Sequence, residues 1–292
     1  MRPADVVLLV ANLVYATSPV ATRIVLDDVP PALLALGRLA GAAAVLWPLA
    51  VGRSARWPRG ADGWRVAWMG AVGFAAAFAL THWGLARSTA TNAALLIIVE
   101  PVSILLLSPL WLDERVSRRE AAGAALALLG VVLVVLDGVP GVTLTLAPHW
   151  RGDLLLVLAG VAYGAYTLIG RDVLARHGPL LVTTRSITWG AAALMVPLVA
   201  VEWMGGARPS PGPGAVVGVL YLAVVITAAG YLAWNCALAR VGAPRAAVFL
   251  TVQPIGGAGL GILLLGEPLT AFTLVGAVLV ALGLWLTVAG RQ

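Results

Sequence analysis

The chain has 292 residues, of which 61% are hydrophobic and only 11% are charged, whereas soluble domains carry roughly 25% charged residues. A water-soluble fold cannot bury that much apolar surface, so the composition excludes an ordinary soluble enzyme or binding domain. The formal charge of +6 comes from 19 basic residues, all arginine, and most of them flank apolar runs, which argues against nucleic acid as a partner.

Ten apolar runs follow one another along the chain, each close to the ~20 residues that cross the hydrocarbon core of a bilayer. They predict an all-α membrane protein with ten spanning helices, at 6–26, 32–51, 66–86, 92–111, 119–137, 153–172, 180–201, 214–236, 245–265 and 271–289. The first run starts almost at the amino end and is as long as the others, which predicts a retained helix and not a cleaved signal. If the amino end is inside, 14 arginines lie on the inner side and five on the outer side. This asymmetry predicts cytoplasmic N and C termini.

A carboxylate, Glu100, lies inside the fourth predicted span. Its insertion costs about 2.5 to 3.5 kcal/mol, so such a group is normally kept for a transport pathway or a partner. When protonated it can mend the turn broken by Pro101 or carry a proton; when ionised it can pair with an arginine or an amine substrate. Pro101 and Pro254 free the carbonyls of Ile97 and Leu250, so helices 4 and 9 are predicted to bend during gating.

Aromatic and polar side chains recur at helical spacing on several other predicted spans. Such faces can form a cavity with aromatic walls and a few polar contacts, the usual form of a small-molecule site, and helix packing is the alternative. The predicted substrate-binding residues are Asn12, Tyr15, Arg38, Phe78, His82, Glu100, Tyr163, Tyr166, Arg185, Trp189, Trp234 and Asn235.

The two halves of the chain resemble each other. A shift of 153 residues pairs Leu85–Arg87 with Leu238–Arg240, Pro101 with Pro254 and Glu114 with Glu267, and 12 of the 30 residues from 85 to 114 are identical. A shift of 148 residues pairs Tyr15 with Tyr163, Arg23 with Arg171 and Pro31 with Pro179. Because each half holds an odd number of spans, the second copy must enter the membrane from the opposite side. The sequence predicts two inverted five-helix repeats, 1–140 and 153–292, joined by a linker at 141–152.

Three of the candidate residues allow two interpretations. Histidine titrates near neutral pH, so His82 can relay protons, and a neutral hydrogen-bonding or wall role is equally open. Arg38 and Arg185 occupy corresponding places in the two halves. Either arginine can bind a substrate carboxylate through two parallel hydrogen bonds, and anchoring of a helix end is the alternative.

A longer motif in each half of the chain resembles that of a known protein family. The stretch from Leu95 to Val116, with Glu100-Pro101 inside the span and Leu112-Asp113-Glu114-Arg115 at its end, resembles the EamA repeat of the drug/metabolite transporter superfamily. Gln253-Pro254 and the segment 265–270 resemble the same motif in the second half. The resemblance implies a ten-helix permease of bacterial-type inner membranes that exports amino acids, related metabolites or drug-like compounds. Gln253 opposite Glu100 departs from the pattern and leaves one acid in the paired position.

Together these features predict a transporter, not an enzyme, that works by alternating access around a central cavity. Amino acids are the expected substrates, with aromatic ones favoured by the number of rings within the spans. A multidrug or other metabolite permease is the alternative in the same superfamily, and an intramembrane enzyme or a channel is the alternative from another class.

The expected partners are a small-molecule substrate and the lipid bilayer, with proton coupling as an option. Cys236 is the single cysteine, so the sequence predicts no thiol-built metal site, and no cofactor is expected. A monomer and a homodimer are both compatible with the sequence. Glycines spaced seven residues apart in helices 5 and 10 predict close helix packing, or pairing of two copies.

Overall fold

The computed structural model describes residues 3–51, 57–112, 116–137, 139–142, 149–241, 249–250 and 252–289. Its elements are all helical within these ranges, as the composition predicts. The first half contains α1 (Pro3–Tyr15), α2 (Ser18–Val25), α3 (Pro31–Val51), α4 (Gly60–Met69), α5 (Ala77–Leu85), α6 (Ala90–Leu96), α7 (Val99–Leu112) and α8 (Arg118–Asp137). The second half contains α9 (Trp150–His177), α10 (Pro179–Gly190), α11 (Val196–Met204), α12 (Pro213–Tyr221), α13 (Tyr231–Val241), α14 (Val252–Leu265) and α15 (Ala271–Ala289).

Among the residues that the structure describes, seven stretches of helix are long and apolar enough to cross a membrane. They are Ala4–Val25, Pro31–Val51, Gly60–Leu85, Ala90–Leu110, Arg118–Asp137, Trp150–His177 and Pro213–Arg240, and the shorter apolar helices are Val252–Leu265 and Ala271–Thr287. Large apolar side chains also cover the outside, as at Leu110, Ile255 and Leu263, which are 77%, 72% and 81% exposed. A surface of this kind suits lipid and not water. The chain is therefore a multi-pass membrane protein; the count of ten spans and the side of the termini stay predictions.

Two of the runs predicted as single helices are interrupted. The first breaks between α1 and α2, where Pro19 lacks the N–H that would continue the helix. The fourth breaks between α6 and α7, where Pro101 has the same effect, and the carbonyl of Ile97 instead accepts the N–H of Glu100 at 3.0 Å. The second half repeats this arrangement, because the carbonyl of Leu250 accepts the N–H of Gln253 at 3.2 Å.

Three further helices contain a wider, π-helical segment, at Gly70–Ala76, Ala191–Met195 and Leu222–Gly230. Each joins two α-helices into one continuous rod, α4 to α5, α10 to α11 and α12 to α13. Nothing in the sequence pattern predicts these segments. Such local widening often occurs at functional sites, since it redirects the side chains beyond it.

The two halves pack closely against each other through small residues. Helix α8 lies along α15, and a Cβ added at Gly283 would lie 2.5 Å from the carbonyl oxygen of Gly123. Likewise a Cβ at Gly130 would lie 2.6 Å from the carbonyl oxygen of Gly276. The glycines predicted for close packing or pairing of copies thus face each other within one chain.

Candidate functional site

A cavity lies where the interrupted helices meet. It contains about 930 Å³ of empty volume, including the open space at its mouth. The ends of the broken helices line it, through Tyr15 and Pro19 at the first break, Ile97 and Glu100 at the second, and Leu250 and Gln253 in the second half. Interrupted helices are a common way for transporters to build a binding site, because they bring unpaired backbone and polar side chains to the centre of a bundle.

Half of the predicted binding residues line this cavity. They are Tyr15, Arg38, Glu100, Tyr163, Tyr166 and Trp234. They come from α1, α3, α7, α9 and α13, so the fold brings together side chains from both halves of the chain. The prolines predicted for gating, Pro101 and Pro254, each follow one of the lining residues Glu100 and Gln253.

Arg38 carries the positive charge of the cavity and is 5% exposed. Its Nε donates to the hydroxyl of Thr227 at 3.3 Å, one terminal nitrogen lies 3.5 Å from the hydroxyl of Thr22, and its guanidinium stacks 4.8 Å from the ring of Phe78. The same terminal nitrogen lies 3.2 Å from Nε2 of His82. Thr22, Thr227 and Phe78 are uncharged, and His82 is uncharged in its neutral form. Among the described residues, no carboxylate forms an ion pair with Arg38.

The hydrogen bonds of His82 define its role beside Arg38. Its Nδ1 lies 2.6 Å from the carbonyl oxygen of Phe78, which can only accept, so Nδ1 carries the proton of this bond. Nε2 is then the nitrogen that accepts from the guanidinium. His82 is fully buried behind the lining, and this pattern suits a neutral imidazole that orients Arg38.

Glu100 provides the carboxyl group of the cavity and is 9% exposed. Within the described part of the chain its carboxylate forms no ion pair, with Arg38 or with any other base. A guanidinium and a carboxyl group thus line one cavity without forming an ion pair with each other. Because a buried ionised carboxylate without a partner is costly, Glu100 can hold a proton in the empty site or pair with a cationic group of a ligand.

Tyrosine rings form much of the wall between these two groups. Tyr231 lies 5.9 Å from Tyr15 and 6.1 Å from Tyr166, measured between ring centroids, and Tyr163 donates to or accepts from the hydroxyl of Thr81 at 3.3 Å. The hydroxyl of Tyr15 is buried and has no hydrogen-bond partner in the described structure. The wall therefore offers ring faces.

Five polar lining residues were absent from the predicted set, namely Ser18, Thr22, Thr81, Tyr231 and Gln253. The 153-residue repeat contains the signal for three of them, because it pairs Thr81 with Trp234, Tyr231 with Phe78, and Gln253 with Glu100. Both members of a pair can reach the centre when the repeats are related by an axis through the cavity.

Two predicted asparagines act one layer behind the lining. Asn12 is fully buried, and its side-chain oxygen accepts from Nε2 of Gln253 at 2.6 Å. Asn235, also fully buried, donates to the hydroxyls of Tyr166 at 2.8 Å and Thr183 at 2.7 Å. Both residues therefore fix the position of a side chain that does line the cavity.

Two other predicted residues lie away from the cavity. Trp189 is 43% exposed on the outside of α10. Arg185, one turn before it, does not line the cavity, and its buried Nε has no hydrogen-bond partner in the described structure. A spacing of four residues places Arg185 and Trp189 on one face of α10, but it does not predict which neighbour that face contacts. In the structure this face does not line the cavity. Among the described residues, no three His, Cys, Asp or Glu side chains are grouped as metal ligands would be.

Interrupted helices around a charged cavity, in a membrane-spanning bundle whose halves repeat, define a transport protein. The model of the EamA-like transporter family matches residues 2–136 and again residues 150–289. The chain belongs to this family, and its activity is that of a transporter and not of an enzyme.

Relatives of known sequence and structure agree with this assignment. The chain is 29% identical over 272 residues to a "Probable terminal-alkyne amino-acid exporter" of Streptantibioticus cattleyicolor, with 93% of this chain and 89% of that protein covered. It is 25% identical over 226 residues to a "Probable amino-acid metabolite efflux pump" of Escherichia coli, with 75% and 73% covered. A crystal structure with a TM-score of 0.69 and 21% identity, covering 99% of this chain and 97% of that one, has the same fold.

Proposed function

We propose that this protein exports amino acids and similar amphipathic metabolites across a bacterial-type inner membrane, with aromatic amino acids preferred. The observation that carries the proposal is that a guanidinium and a carboxyl group line one cavity without an ion pair between them. Arg38 offers a guanidinium that suits a carboxylate, and Glu100 offers a carboxylate that suits an ammonium group. An amino acid carries both groups, so it neutralises both charges at once.

The wall between the charges supports the aromatic preference. Tyr15, Tyr163 and Tyr231 present rings, and aromatic pairs contribute about 0.5 to 1.5 kcal/mol beyond the area that they bury. The names of the two relatives, an amino-acid exporter and an amino-acid metabolite efflux pump, are consistent with this class of substrate.

Alternating access is the mechanism that this architecture suits. Two inverted repeats, 1–140 and 153–292, can exchange shapes around a fixed central site and so present it to either side in turn. Pro101 and Pro254 adjoin the lining residues at the two breaks, where the helices have already lost a backbone hydrogen bond. These are the places where bending costs least.

Uptake of a panel of labelled amino acids into liposomes tests the proposal. We expect saturable uptake with counterflow, strongest for aromatic amino acids, and loss of most uptake in Arg38→Gln and in Glu100→Gln. Trp189→Ala is the control, because it removes a large side chain that lies outside the cavity. No uptake of any amino acid would retire the amino-acid assignment.

The panel also separates the alternatives. Uptake of bulky hydrophobic amines that needs Glu100 but not Arg38 would favour a multidrug permease, since an amine has no carboxylate for the arginine. An unsaturable current would favour a channel. Glu100→Gln with transport unchanged across pH would remove proton coupling through that carboxylate.

A further inference from the structure

A buried polar cluster outside the cavity joins three helices. It consists of Ser88, Asn92, His149 and Asp153, and we call it the α5–α9 cluster. Nδ1 of His149 lies 2.7 Å from one carboxylate oxygen of Asp153, and the amide of Asn92 donates to both carboxylate oxygens at 3.3 Å. The hydroxyl of Ser88 donates to the same carboxylate. The carboxylate of Asp153 is fully buried, and Nε2 of His149 is buried with no hydrogen-bond partner in the described structure.

This cluster lies directly beyond one end of the cavity. Three lining residues mark that end, Leu85 on α5, Ala93 on α6 and Leu156 on α9. Ser88 comes three residues after Leu85, Asn92 comes directly before Ala93, and Asp153 comes three residues before Leu156. The turn after α5 and the helices α6 and α9 therefore each carry a cluster residue within about one turn of a residue that lines the cavity.

The backbones of α5 and α9 are in close approach at this end. A Cβ added at Gly152 would lie 2.6 Å from the carbonyl oxygens of Gly84 and of Arg87. No larger residue fits at Gly152 unless the two helices separate. The α5–α9 cluster thus holds together α6, α9 and the turn after α5 at this end of the cavity.

We propose that the α5–α9 cluster is a proton-binding gate, which keeps this end of the cavity shut while His149 is charged and releases it when His149 loses its proton. The role of this gate in transport rests on the proposed function. Its structural basis is independent of the substrate, because no residue of the cluster lines the cavity.

The charges around His149 support this assignment. Burial by itself lowers the pKa of His149, but the hydrogen bond and charge of Asp153, together with the charge of Asp137 on α8, raise that pKa above its ordinary value. The carboxylate of Asp137 accepts from the hydroxyls of Thr270 and Thr273 at 2.6 and 3.0 Å. The other charged groups at this end have partners elsewhere: Glu267 caps α6, Arg87 donates to the carbonyl of Trp83, and Arg151 lies over the ring of Trp150.

The raised pKa fixes the direction of the pH effect. When the helices separate, His149 loses Asp153 and returns toward an ordinary pKa of about 6.5. The contact therefore stabilises the shut gate fully below pH ~6.5, and this contribution is lost as the pH rises through the raised pKa of His149. We expect this end of the cavity to open as the medium becomes alkaline.

Thiol accessibility measures the gate without any substrate. The single native cysteine is replaced (Cys236→Ser), Ile97→Cys places a reporter in the cavity lining, and a charged methanethiosulfonate is applied from each side of reconstituted vesicles. The reporter reacts as its thiolate, so its own titration speeds labelling in every variant and cancels only when rates are compared at the same pH. From one side we expect labelling to be several-fold slower than in His149→Asn and Asp153→Asn at pH ~6.5, and equally fast at pH ~9. The pH profile of the gate is this ratio of rates.

His177→Asn is the matched control. His177 closes the opposite end of α9, where its Nε2 lies 2.7 Å from the carboxylate of Asp62, and we expect its loss to leave the pH profile unchanged. The gate is overturned if both His149→Asn and Asp153→Asn keep the original profile, or if both label slowly at every pH. A flat profile with intact amino-acid uptake would reject the gate alone. A pH-dependent profile without uptake would reject the proposed substrate alone.

Discussion

At the scale of single residues, the orientation of Arg38 depends on side chains that do not touch the cavity. His82 accepts a hydrogen bond from the guanidinium of Arg38. The ring of Phe78 packs against that guanidinium, and the carbonyl of Phe78 accepts from the imidazole of His82. We therefore expect His82→Ala to raise the KM for amino acids about tenfold, since a hydrogen bond to a charged group contributes about 1.5 kcal/mol. Initial rates of liposome uptake give KM and kcat separately.

A conservative variant separates positioning from packing at this site. His82→Gln retains a side-chain oxygen that can accept from Arg38, so we expect it to recover most of the affinity lost in His82→Ala. Equal defects in the two variants, or a defect in kcat with KM unchanged, would contradict the positioning role.

The sequence predicts which types of residue line the cavity better than it predicts which side chains point into it. In a membrane, apolar side chains face lipid as well as the protein interior, so hydrophobic periodicity does not mark the buried face of a helix. Tyr163 and Trp189 therefore give similar signals, but one lines the cavity and the other is 43% exposed. Asn12 and Asn235 are close to the cavity but act through neighbours, which no spacing rule reveals.

At the scale of helices, a proline predicts where a helix is interrupted, because it cannot donate the backbone hydrogen bond that would continue the helix. Pro101 and Pro254 free the carbonyls that the structure pairs with the next available N–H, at Glu100 and Gln253. The interruption at Pro19 follows from the same rule, although the apolar run alone predicts one continuous helix. The π-helical segments could not be predicted from the sequence, because no residue type is required to form them.

Restoring the donor at Pro254 tests whether the break serves transport. In Pro254→Ala the new N–H can complete the helix, so we expect turnover to fall several-fold while substrate affinity is kept. Pro48→Ala is the control, because Pro48 lies inside α3 and that helix continues without a break. Counterflow rates and equilibrium binding measure the two quantities, and a normal turnover in Pro254→Ala would remove the break from the mechanism.

The contact between α8 and α15 makes a prediction about stability. In Gly283→Ala the new Cβ would lie 2.5 Å from the backbone nitrogen of Ala127, so the helices must move apart, and overpacking of this kind costs about 1 to 3 kcal/mol. We expect a lower Tm in detergent. Gly259→Ala is the control, since nothing lies within 4 Å of a Cβ at that position, and equal Tm values for both variants would contradict the packing.

At the scale of the whole molecule, the repeat explains why one cavity draws on both halves. The family model matches the chain twice, at residues 2–136 and 150–289, and the pairs Tyr15 with Tyr163 and Glu100 with Gln253 all line the cavity. The replacement of one acid by Gln253 makes the site electrically asymmetric. A single carboxylate opposite Arg38 is the composition that a zwitterion needs, whereas two acids would favour a cation.

The predicted inversion of the repeats would allow one site to serve both sides, and it predicts where the loops must lie. Five predicted spans separate Arg59 from Ser210, so an inverted arrangement places them on opposite sides of the membrane. Both residues are exposed, which makes them suitable for labelling as Arg59→Cys and Ser210→Cys in a Cys236→Ser chain. We expect an impermeant thiol reagent to reach position 210 from outside the cell and position 59 only after the membrane is opened, as the arginine asymmetry requires. If both positions were labelled from the same side, the halves could not be inverted copies, and alternating access around the central cavity would have no structural basis.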